Sequence, residues 1–206
     1  MISMKRNETK CNEMKNLTQL LHISKKCSNF ARKFACKMKR IINPWRGMLG
    51  YNCFGCSPDN PIGTRMRFFE DGDSIVSIWR PTQDHQSWRN TLHGGIQAVL
   101  LDEVCGWVVF HLLKTAGVTA KMEMRYLKPV STLQPYLKLR AYLKEMRRNV
   151  AIVVGEIYGA EGDLECECTC TYFTFPQEKA IDEFGYIPSS VESADYTFEE
   201  ALKIGD

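Results

Sequence analysis

The feature that most constrains the fold is one long, almost wholly apolar stretch, "NTLHGGIQAVLLDEVCGWVVFHLLKTAG", residues 90–117. Its length and composition predict a helix that is apolar nearly all the way round, and such a helix must be covered on every side. Gln97, Asp102 and Glu103 argue against a membrane span, because charged groups are costly in lipid. We therefore predict a buried helix at the centre of a soluble domain.

Strand-like segments lie on both sides of this helix. Before it, residues 65–81 contain two strand-like segments on either side of Asp71-Gly72, a dipeptide typical of the turn in a β-hairpin. After it come four further runs, at 119–127, 136–145, 150–158 and 164–175. The turn "GAEGD" joins the last two. Because consecutive antiparallel strands can curl around a helix, the predicted fold class is α+β, with a long central helix wrapped by a curved antiparallel sheet.

The chain of 206 residues is long enough for one domain with tails. Residues 1–46 hold 12 Lys or Arg against 2 acids. The spacing within 14–42 predicts a basic amphipathic helix, which is either an arm for a membrane or nucleic acid or a dispensable extension with Met38 as the alternative start. Residues 47–175 form the predicted domain. Residues 176–206 hold 8 acids against 2 bases and are expected to be a mobile or loosely docked tail.

Nine cysteines with no regular disulfide spacing and no secretory leader favour free thiols in a reducing compartment, and hence a cytoplasmic location. Cys53-Phe-Gly-Cys56 has the spacing of redox and zinc sites, but a zinc site needs two more ligands. The remaining cysteine candidates are Cys166, Cys168 and Cys170. These alternate with polar residues and share one strand face with Tyr172, so packing against the helix explains them better. We expect no metal site and no cofactor.

Two glycines follow His93 at the start of the predicted helix. Without a Cβ, Gly94 and Gly95 let a ligand approach the backbone amides, and the helix dipole there favours negative charge. The two amides are therefore a candidate oxyanion hole, a site that stabilises a carbonyl oxygen as it becomes negative. The alternative is close packing of the helix on the sheet at these glycines.

Asp102 lies two turns further along the helix. The residues four positions before and after it on the helix are Ala98 and Gly106, which are small and leave room beside the carboxylate. Apolar surroundings disfavour a charged carboxylate and raise its pKa, which suits a general base. Glu103, flanked by bulkier residues, is the alternative base. The competing interpretation of Asp102 is an acid on the helix face, paired with Arg or Lys from a neighbouring chain.

The motif "LHGGIQAVLLDE", in which the acid follows His93 by nine residues, resembles the hotdog-fold acyl-CoA thioesterases. The resemblance is to the phenylacetate-degradation branch of the 4-hydroxybenzoyl-CoA thioesterase superfamily. It extends over roughly residues 52–175, and includes "CFGCSPDNPIG" ahead of the first strand and "RYLKPV" after the helix.

This resemblance implies an enzyme that hydrolyses an acyl-CoA or acyl-carrier thioester. The Gly94 amide would polarise the thioester carbonyl, and Asp102 would act as general base or nucleophile. Counting back from the Lys-Pro turn places the family's helper Ser or Thr at Thr119. The family also forms dimers, often tetramers, with sites across the interface, so that Asp102 would face the partner's Thr119.

Several further residues are candidates for substrate binding. His93 is expected to cap the helix or orient the loop before it. Relatives carry an amide side chain in that loop, and the resemblance does not select among its candidates here. Those candidates are Gln83, Gln86, Ser87 and Asn90. Arg125 and Lys128 could meet the phosphates of coenzyme A, although solvated surface charge is the simpler explanation.

The rival function is a non-catalytic acyl-CoA or fatty-acid binding module on the same fold, since fold alone does not decide function. A hydratase would need a catalytic His paired with an acid, and no such pairing is visible. We expect an acyl-CoA substrate, with a medium-chain or aromatic acyl group as the candidates, and a homodimer or homotetramer. We expect no nucleic-acid partner and no stable membrane insertion.

Overall fold

The computed structural model describes residues 37–204. Eight strands occur in this part of the chain. They are β1 (Met38–Ile42), β2 (Phe68–Asp71), β3 (Ser74–Trp79), β4 (Gly117–Tyr126), β5 (Leu137–Arg147), β6 (Val150–Tyr158), β7 (Leu164–Thr174) and β8 (Ser190–Tyr196). The α-helices are α1 (Gly94–Trp107), α2 (Gln177–Phe184) and α3 (Phe198–Lys203). A single turn of 3₁₀ helix covers Gln83–His85.

The eight strands form one sheet in the order β4-β7-β6-β5-β3-β2-β1-β8, and every neighbouring pair is antiparallel. Helix α1 packs against β3, β4, β5, β6 and β7. The predicted hairpin and the four predicted strands after the helix are all present. This is the expected hotdog architecture, a long helix held in a curved antiparallel sheet.

Burial of α1 explains its composition. Leu100, Leu101, Val104 and Cys105 have no exposed surface. Beneath them, Gly155 of β6 allows the helix to come close, since a Cβ there would lie 2.7 Å from Cys105 Sγ. By length and composition alone Gly94–Leu112 could cross a membrane, yet it is the core helix of this sheet.

The helix changes form before it ends. Val108–Leu112 is a π-helical segment, in which Leu113 N–H donates to Val108 O across 3.1 Å. Within it, the buried His111 bonds Ser189 Oγ through Nδ1 at 2.6 Å and Glu70 Oε2 through Nε2 at 2.7 Å. His111 is therefore a hydrogen-bonded core residue.

The cysteines of β7 face the helix. Cys166, Cys168 and Cys170 are buried, and Cys168 Sγ lies 3.8 Å from Cys105 Sγ of α1. The prediction that their alternation marks a packed face is therefore confirmed. All six cysteines in residues 37–204 are free thiols.

Residues 38–42 correct one prediction. They form β1, paired with β2 and β8, and are not the end of an amphipathic helix that begins at residue 14; residues 14–36 of that predicted helix lie outside the described residues. A bulge between Lys39 and Ile41 lets Met38 and Ile41 both be buried. A spacing of three residues fits both a helix face and a bulged strand, so the sequence pattern was ambiguous. The predicted domain start at residue 47 is accordingly too late.

The predicted tail at 176–206 is also wrong in its described part. Two helices and β8 form there, and α2 ends at Gly185, which has the left-handed φ of 62°. Charge helps to place β8 on β1, because Arg40 Nη1 lies 3.3 Å from Glu192 Oε1 and Lys37 Nζ lies 3.9 Å from Asp195 Oδ2. Basic residues at 37–40 and acidic residues at 192–195 therefore meet across one pair of strands.

The position of β1 predicts that substitutions of two adjacent isoleucines have very different effects on the free energy of unfolding. Ile41 is 6% exposed and Ile42 is 47% exposed. We expect Ile41→Ala to lower the free energy of unfolding by about 2–5 kcal/mol, since it leaves a cavity in the core. Ile42→Ala, the matched control, should change it by less than about 0.5 kcal/mol. Urea unfolding of both variants measures the difference; two equally small effects would show that β1 is a dispensable extension.

Candidate active site

The start of α1 leaves one backbone amide unpaired. Gly95 N–H donates to Nδ1 of His93, the N-cap residue, across 2.9 Å, so this amide is already used. Gly94 N–H has no hydrogen-bond partner among residues 37–204. A Cβ at Gly94 would only touch the Tyr126 ring, at 3.4 Å, so close packing does not require the glycine. Of the two predicted oxyanion donors, Gly94 is available and Gly95 is not.

Asp102 is held by two hydroxyl groups. Thr119 Oγ1 donates to Asp102 Oδ1 at 2.9 Å, and Tyr172 OH donates to the same oxygen at 3.2 Å and to the Asp102 carbonyl at 3.0 Å. The other carboxylate oxygen, Oδ2, accepts no hydrogen bond from the described residues. The Thr119 contact forms within a single chain, which corrects the expectation that Asp102 faces the partner's Thr119.

Glu103 has different surroundings from its neighbour Asp102. Trp107 Nε1 donates to Glu103 Oε1 at 3.1 Å, and Cys53 Sγ lies 3.7 Å from Oε2. Burial, followed by the charge of a Cys53 thiolate, raises the pKa of Glu103 to about 7. Glu103, the predicted alternative base, therefore has a raised carboxylate pKa.

The CxxC pair lies beside Glu103. The Cys56 thiol, together with the backbone amides of Cys56 and Gly55, donates hydrogen bonds to the Cys53 sulfur and lowers the Cys53 pKa to about 5. The pKa of Cys56 is raised, chiefly because its proton is held by Cys53 and because it is buried. Tyr51 OH contacts Cys56 Sγ at 2.9 Å. Two of the β7 cysteines weighed as further zinc ligands, Cys168 and Cys170, cluster with Cys105 and not with this pair.

A cavity of about 430 Å³ opens beside Asp102 and Glu103. Gly106 makes space there, since a Cβ on it would meet only Tyr172 OH, at 3.9 Å, which confirms the predicted room beside the acid on this side. Aromatic side chains form most of the walls. They are Trp45, Tyr51, Trp107, Phe110, Tyr172, Phe184 and Tyr186. Three of these come from segments predicted to be tails, so those segments close the cavity.

A second, larger cavity of about 590 Å³ contains neither Asp102 nor Glu103. It lies where α3 meets the sheet, and Arg65, Arg67 and Arg80 are among its lining residues. Arg67 donates to the carbonyl of Ile204 and Arg80 to that of Leu202. These arginines hold the C-terminal segment, so we place the candidate active site at the smaller cavity.

The other predicted binding residues lie apart from this cavity. Asn90 occupies a turn with a φ of 60°, and Gln86 Oε1 accepts its N–H. Arg125 is paired with Glu167 at 2.6 Å and Lys128 with Asp163 at 3.0 Å, both near the surface. Gln83, Gln86, Ser87, Asn90, Arg125 and Lys128 are absent from the lining of the cavity.

Tyr172 is a residue of the candidate site that sequence reasoning missed. It is 3% exposed, and burial raises the pKa of its hydroxyl above the usual range, so it acts as a hydrogen-bond donor. Its alternation with the three cysteines of β7 already placed it on the helix-facing side. A tyrosine on such a face needs a partner for its hydroxyl group, and Asp102 was the nearest polar group of the helix.

Comparison with known proteins shows which family part of the chain resembles. Residues 89–166 match the sequence model of the thioesterase superfamily. No curated protein matches the chain. Among solved structures, the fold is similar to the PaaI protein of E. coli from the phenylacetic acid degradation operon, at 14% identity, a TM-score of 0.51 and coverage of 55% of this chain and 82% of that one.

Two further structures show the same similarity. A thioesterase from Haemophilus influenzae is 19% identical, with a TM-score of 0.51 and coverage of 55% of this chain and 80% of that one. A Streptococcus mutans protein bound to acetyl-CoA is 14% identical, with a TM-score of 0.52 and coverage of 64% and 98%. At these identities the structures establish the fold alone. The match over residues 89–166 confirms the predicted resemblance of this part of the chain to the thioesterase superfamily.

Proposed function

We propose that this protein hydrolyses the thioester of an acyl-CoA whose acyl group is apolar, with Asp102 as the general base. The observation that carries the proposal is the placement of Asp102, which is fixed through one carboxylate oxygen at the edge of an aromatic-walled cavity. The bound acetyl-CoA in the Streptococcus mutans protein supports coenzyme A as the thiol. Free thiols throughout the described chain support a cytoplasmic location.

The cavity suits an apolar acyl group. Its aromatic walls would bury such a group away from water, and it is of the size that small-molecule sites have. Polar groups are concentrated at Asp102, Glu103 and the CxxC pair. A medium-chain or aromatic acyl group would therefore lie against the rings, with its thioester near Asp102.

The geometry of Asp102 suits a base. Thr119 and Tyr172 both donate to Oδ1, which fixes the carboxylate and leaves Oδ2 to accept a proton from water. Neither donor is a base that would compete for that proton. Thr119 and Tyr172 are positioning residues in this scheme, because they act through Asp102.

One chain does not supply both halves of the site. Gly94 and Asp102 are eight residues apart on α1, which is about 12 Å along the helix axis. A base and an oxyanion donor must both lie about 3 Å from groups of the same reacting carbonyl and water. We therefore propose that the Gly94 amide comes from a second copy of the chain.

Strand β4 offers the means of bringing two copies together. It is a ten-residue strand at the open edge of the sheet. Near its start Thr119 contacts Asp102, and at its end Tyr126 OH donates to the Gly94 carbonyl at 3.2 Å. Two β4 edges paired antiparallel about a twofold axis would place the start of one strand beside the end of the other. The Asp102 of each copy would then approach the Gly94 amide of the other.

The reaction follows from these placements. Water attacks the thioester carbon as Asp102 Oδ2 takes its proton, and the carbonyl oxygen becomes an oxyanion held by Gly94 N–H. The C–S bond then breaks, releasing the carboxylic acid and the thiolate, which regains the proton from Asp102. Because a thiol has a pKa near 8.5, the thiolate leaves without a strong general acid.

Neutralising Asp102 should show which of the two adjacent acids of α1, Asp102 or Glu103, is the base. We expect Asp102→Asn to lower kcat by about 10²- to 10⁴-fold, since the amide cannot accept the proton of water. Free-thiol release from phenylacetyl-, benzoyl-, hexanoyl- and decanoyl-CoA measures this effect. Asp73→Asn, an exposed acid in the β2–β3 turn, is the matched control and should leave the rate unchanged.

The same assay distinguishes the alternatives. A larger loss in Glu103→Gln than in Asp102→Asn would make Glu103 the base and contradict the proposal. Tight acyl-CoA binding with no thiol release from any substrate by the unaltered protein would favour the non-catalytic binding module.

Mixing two inactive variants tests the shared site. Gly94→Pro removes the amide donor at the first helical position, where proline is well tolerated and the extended backbone of His93 suits it. When chains carrying Asp102→Asn and Gly94→Pro are unfolded and refolded together, half of the dimers are mixed, and one of their two sites has both native groups. Activity should return to about one quarter of the native value. No recovery, despite mixed dimers detected by mass spectrometry, would contradict a site shared between copies.

A further inference from the structure

We propose that Cys53, Cys56 and Glu103 form a zinc-binding site, contrary to the expectation from the sequence that the chain binds no metal. One ligand atom from each residue lies within 4.8 Å of the other two. Cys53 Sγ is 3.7 and 3.8 Å from the two Glu103 oxygens. On a tetrahedral zinc ion, a thiolate at about 2.3 Å and a carboxylate oxygen at about 2.0–2.2 Å lie roughly 3.5 Å apart. The three groups therefore need to move little to bind one ion.

The glycine of the CxxC turn is explained by this arrangement. A Cβ at Gly55 would overlap the Glu103 carboxylate, with Oε2 as the nearest atom. The φ of Gly55 does not lie in the left-handed region, so the turn itself does not call for glycine. What Gly55 provides is space for a carboxylate from the core helix to reach the two cysteines.

The turn is firmly fixed on its other side. Thr64 N–H donates to Phe54 O and Met66 N–H to Gly55 O, each across 2.8 Å. Ser57 N–H closes the turn on Cys53 O at 3.2 Å. The two thiols are therefore held in place by the backbone, as a metal site requires.

Two of the three proposed ligands, Glu103 and Cys56, also have a hydrogen-bond partner outside the cluster. Trp107 Nε1 donates to Glu103 Oε1 at 3.1 Å. Tyr51 OH contacts Cys56 Sγ at 2.9 Å and accepts from Asn43 Nδ2 at 2.8 Å. Such partners orient metal ligands and are a regular part of protein metal sites.

Charge points the same way. The ion pairs among residues 37–204 do not include Glu103, although its carboxylate is partly buried beside two thiols and next to Asp102 in the chain. A buried carboxylate without a cation is unfavourable. A divalent ion would supply the positive charge that the described side chains do not. Two sulfur ligands select zinc over magnesium or calcium.

The second cysteine cluster lacks these features. Cys105, Cys168 and Cys170 lie in the closed core beneath α1, where packing already accounts for them, and the core offers no route for an ion. Cys53 is partly exposed and lines the open cavity. Three protein ligands would leave the fourth position of the zinc ion facing that cavity.

This inference does not depend on the proposed thioesterase activity. It does assign the adjacent acids different tasks, since a Glu103 bound to zinc is not free to act as a base. The ion would also join the loop before β2 to the core helix.

Cobalt(II) is the probe, because its visible absorption reports thiolate ligands and tetrahedral geometry. The full chain is reduced, treated with a chelator and titrated with Co²⁺ without oxygen. We expect one Co²⁺ per chain, with a thiolate-to-cobalt charge-transfer band that Zn²⁺ abolishes by displacement. Zn²⁺ should also raise the melting temperature of the unaltered protein, because it binds the folded state.

Matched variants locate the site. Cys53→Ser and Glu103→Gln should lose the band or change its shape, and Zn²⁺ should no longer raise their melting temperatures. Tyr51→Phe, which keeps every ligand, should weaken binding by about 10- to 100-fold. Cys168→Ala tests the core cluster, and serine at Cys11, Cys27 and Cys36 tests the segment before residue 37; both controls should bind Co²⁺ like the unaltered chain.

Three results would overturn the proposal. The first is the absence of a thiolate band in the reduced chain. The second is a band that survives Cys53→Ser and Glu103→Gln unchanged while Cys168→Ala or the N-terminal serine variant loses it. The third is that Zn²⁺ raises the melting temperatures of both ligand variants as much as that of the unaltered protein, while circular dichroism shows that both variants are folded.

Discussion

The burial of one apolar helix in a curved sheet is the interaction on which the rest of the structure depends. Helix α1 contributes fully buried side chains along its length and contacts five strands. A helix apolar on all sides is unstable in water, so the sheet must enclose it. Because the helix position is fixed in this way, any group it carries is held rigidly. Asp102, Glu103 and the Gly94 amide all owe their placement to that packing.

The two ends of the described chain complete the enclosure. Strand β1 and strand β8 extend the sheet, and their opposite charges favour the pairing. The rings of Trp45 and Tyr186 then reach the cavity beside Asp102. An acyl pocket in this protein would therefore depend on segments outside the region that matches the superfamily, residues 89–166. On this proposal, substrate selection would depend on segments that the superfamily match does not cover.

Local patterns predicted the centre of the molecule well. The long apolar stretch predicted the helix, and alternating polar and apolar residues predicted β4 to β7. Each of these patterns fits only one type of secondary structure. The ends were predicted poorly, since Met38 and Ile41 at a spacing of three fit a helix as well as a bulged strand. The acidic segment from residue 176 showed no strand pattern because β8 is only partly buried, and its pairing with β1 is a long-range contact.

The candidate site, too, was predictable from the sequence only in part. Gly94 and Asp102 were recognisable from their spacing, whereas the use of Gly95 by His93 depends on the rotamer of a capping side chain. Tyr172 and the approach of Cys53 to Glu103 join residues far apart in sequence. No local pattern contains such contacts. Alternation could place Tyr172 on the correct face, but only the assembled sheet determines which helix residue it meets.

The π-helical segment Val108–Leu112 has a consequence for how the core helix can vary. A π turn holds one residue more than the α turn it replaces, so the side chains after it are rotated by about 100° relative to a continuous α-helix. Within the segment, His111 bonds Glu70 and Ser189 while Val108 and Val109 stay buried. The segment therefore works as an insertion accommodated within a helix. Removing one residue there would restore regular α-helix and change the direction of His111 relative to both partners, while Gly94–Trp107 would keep its position.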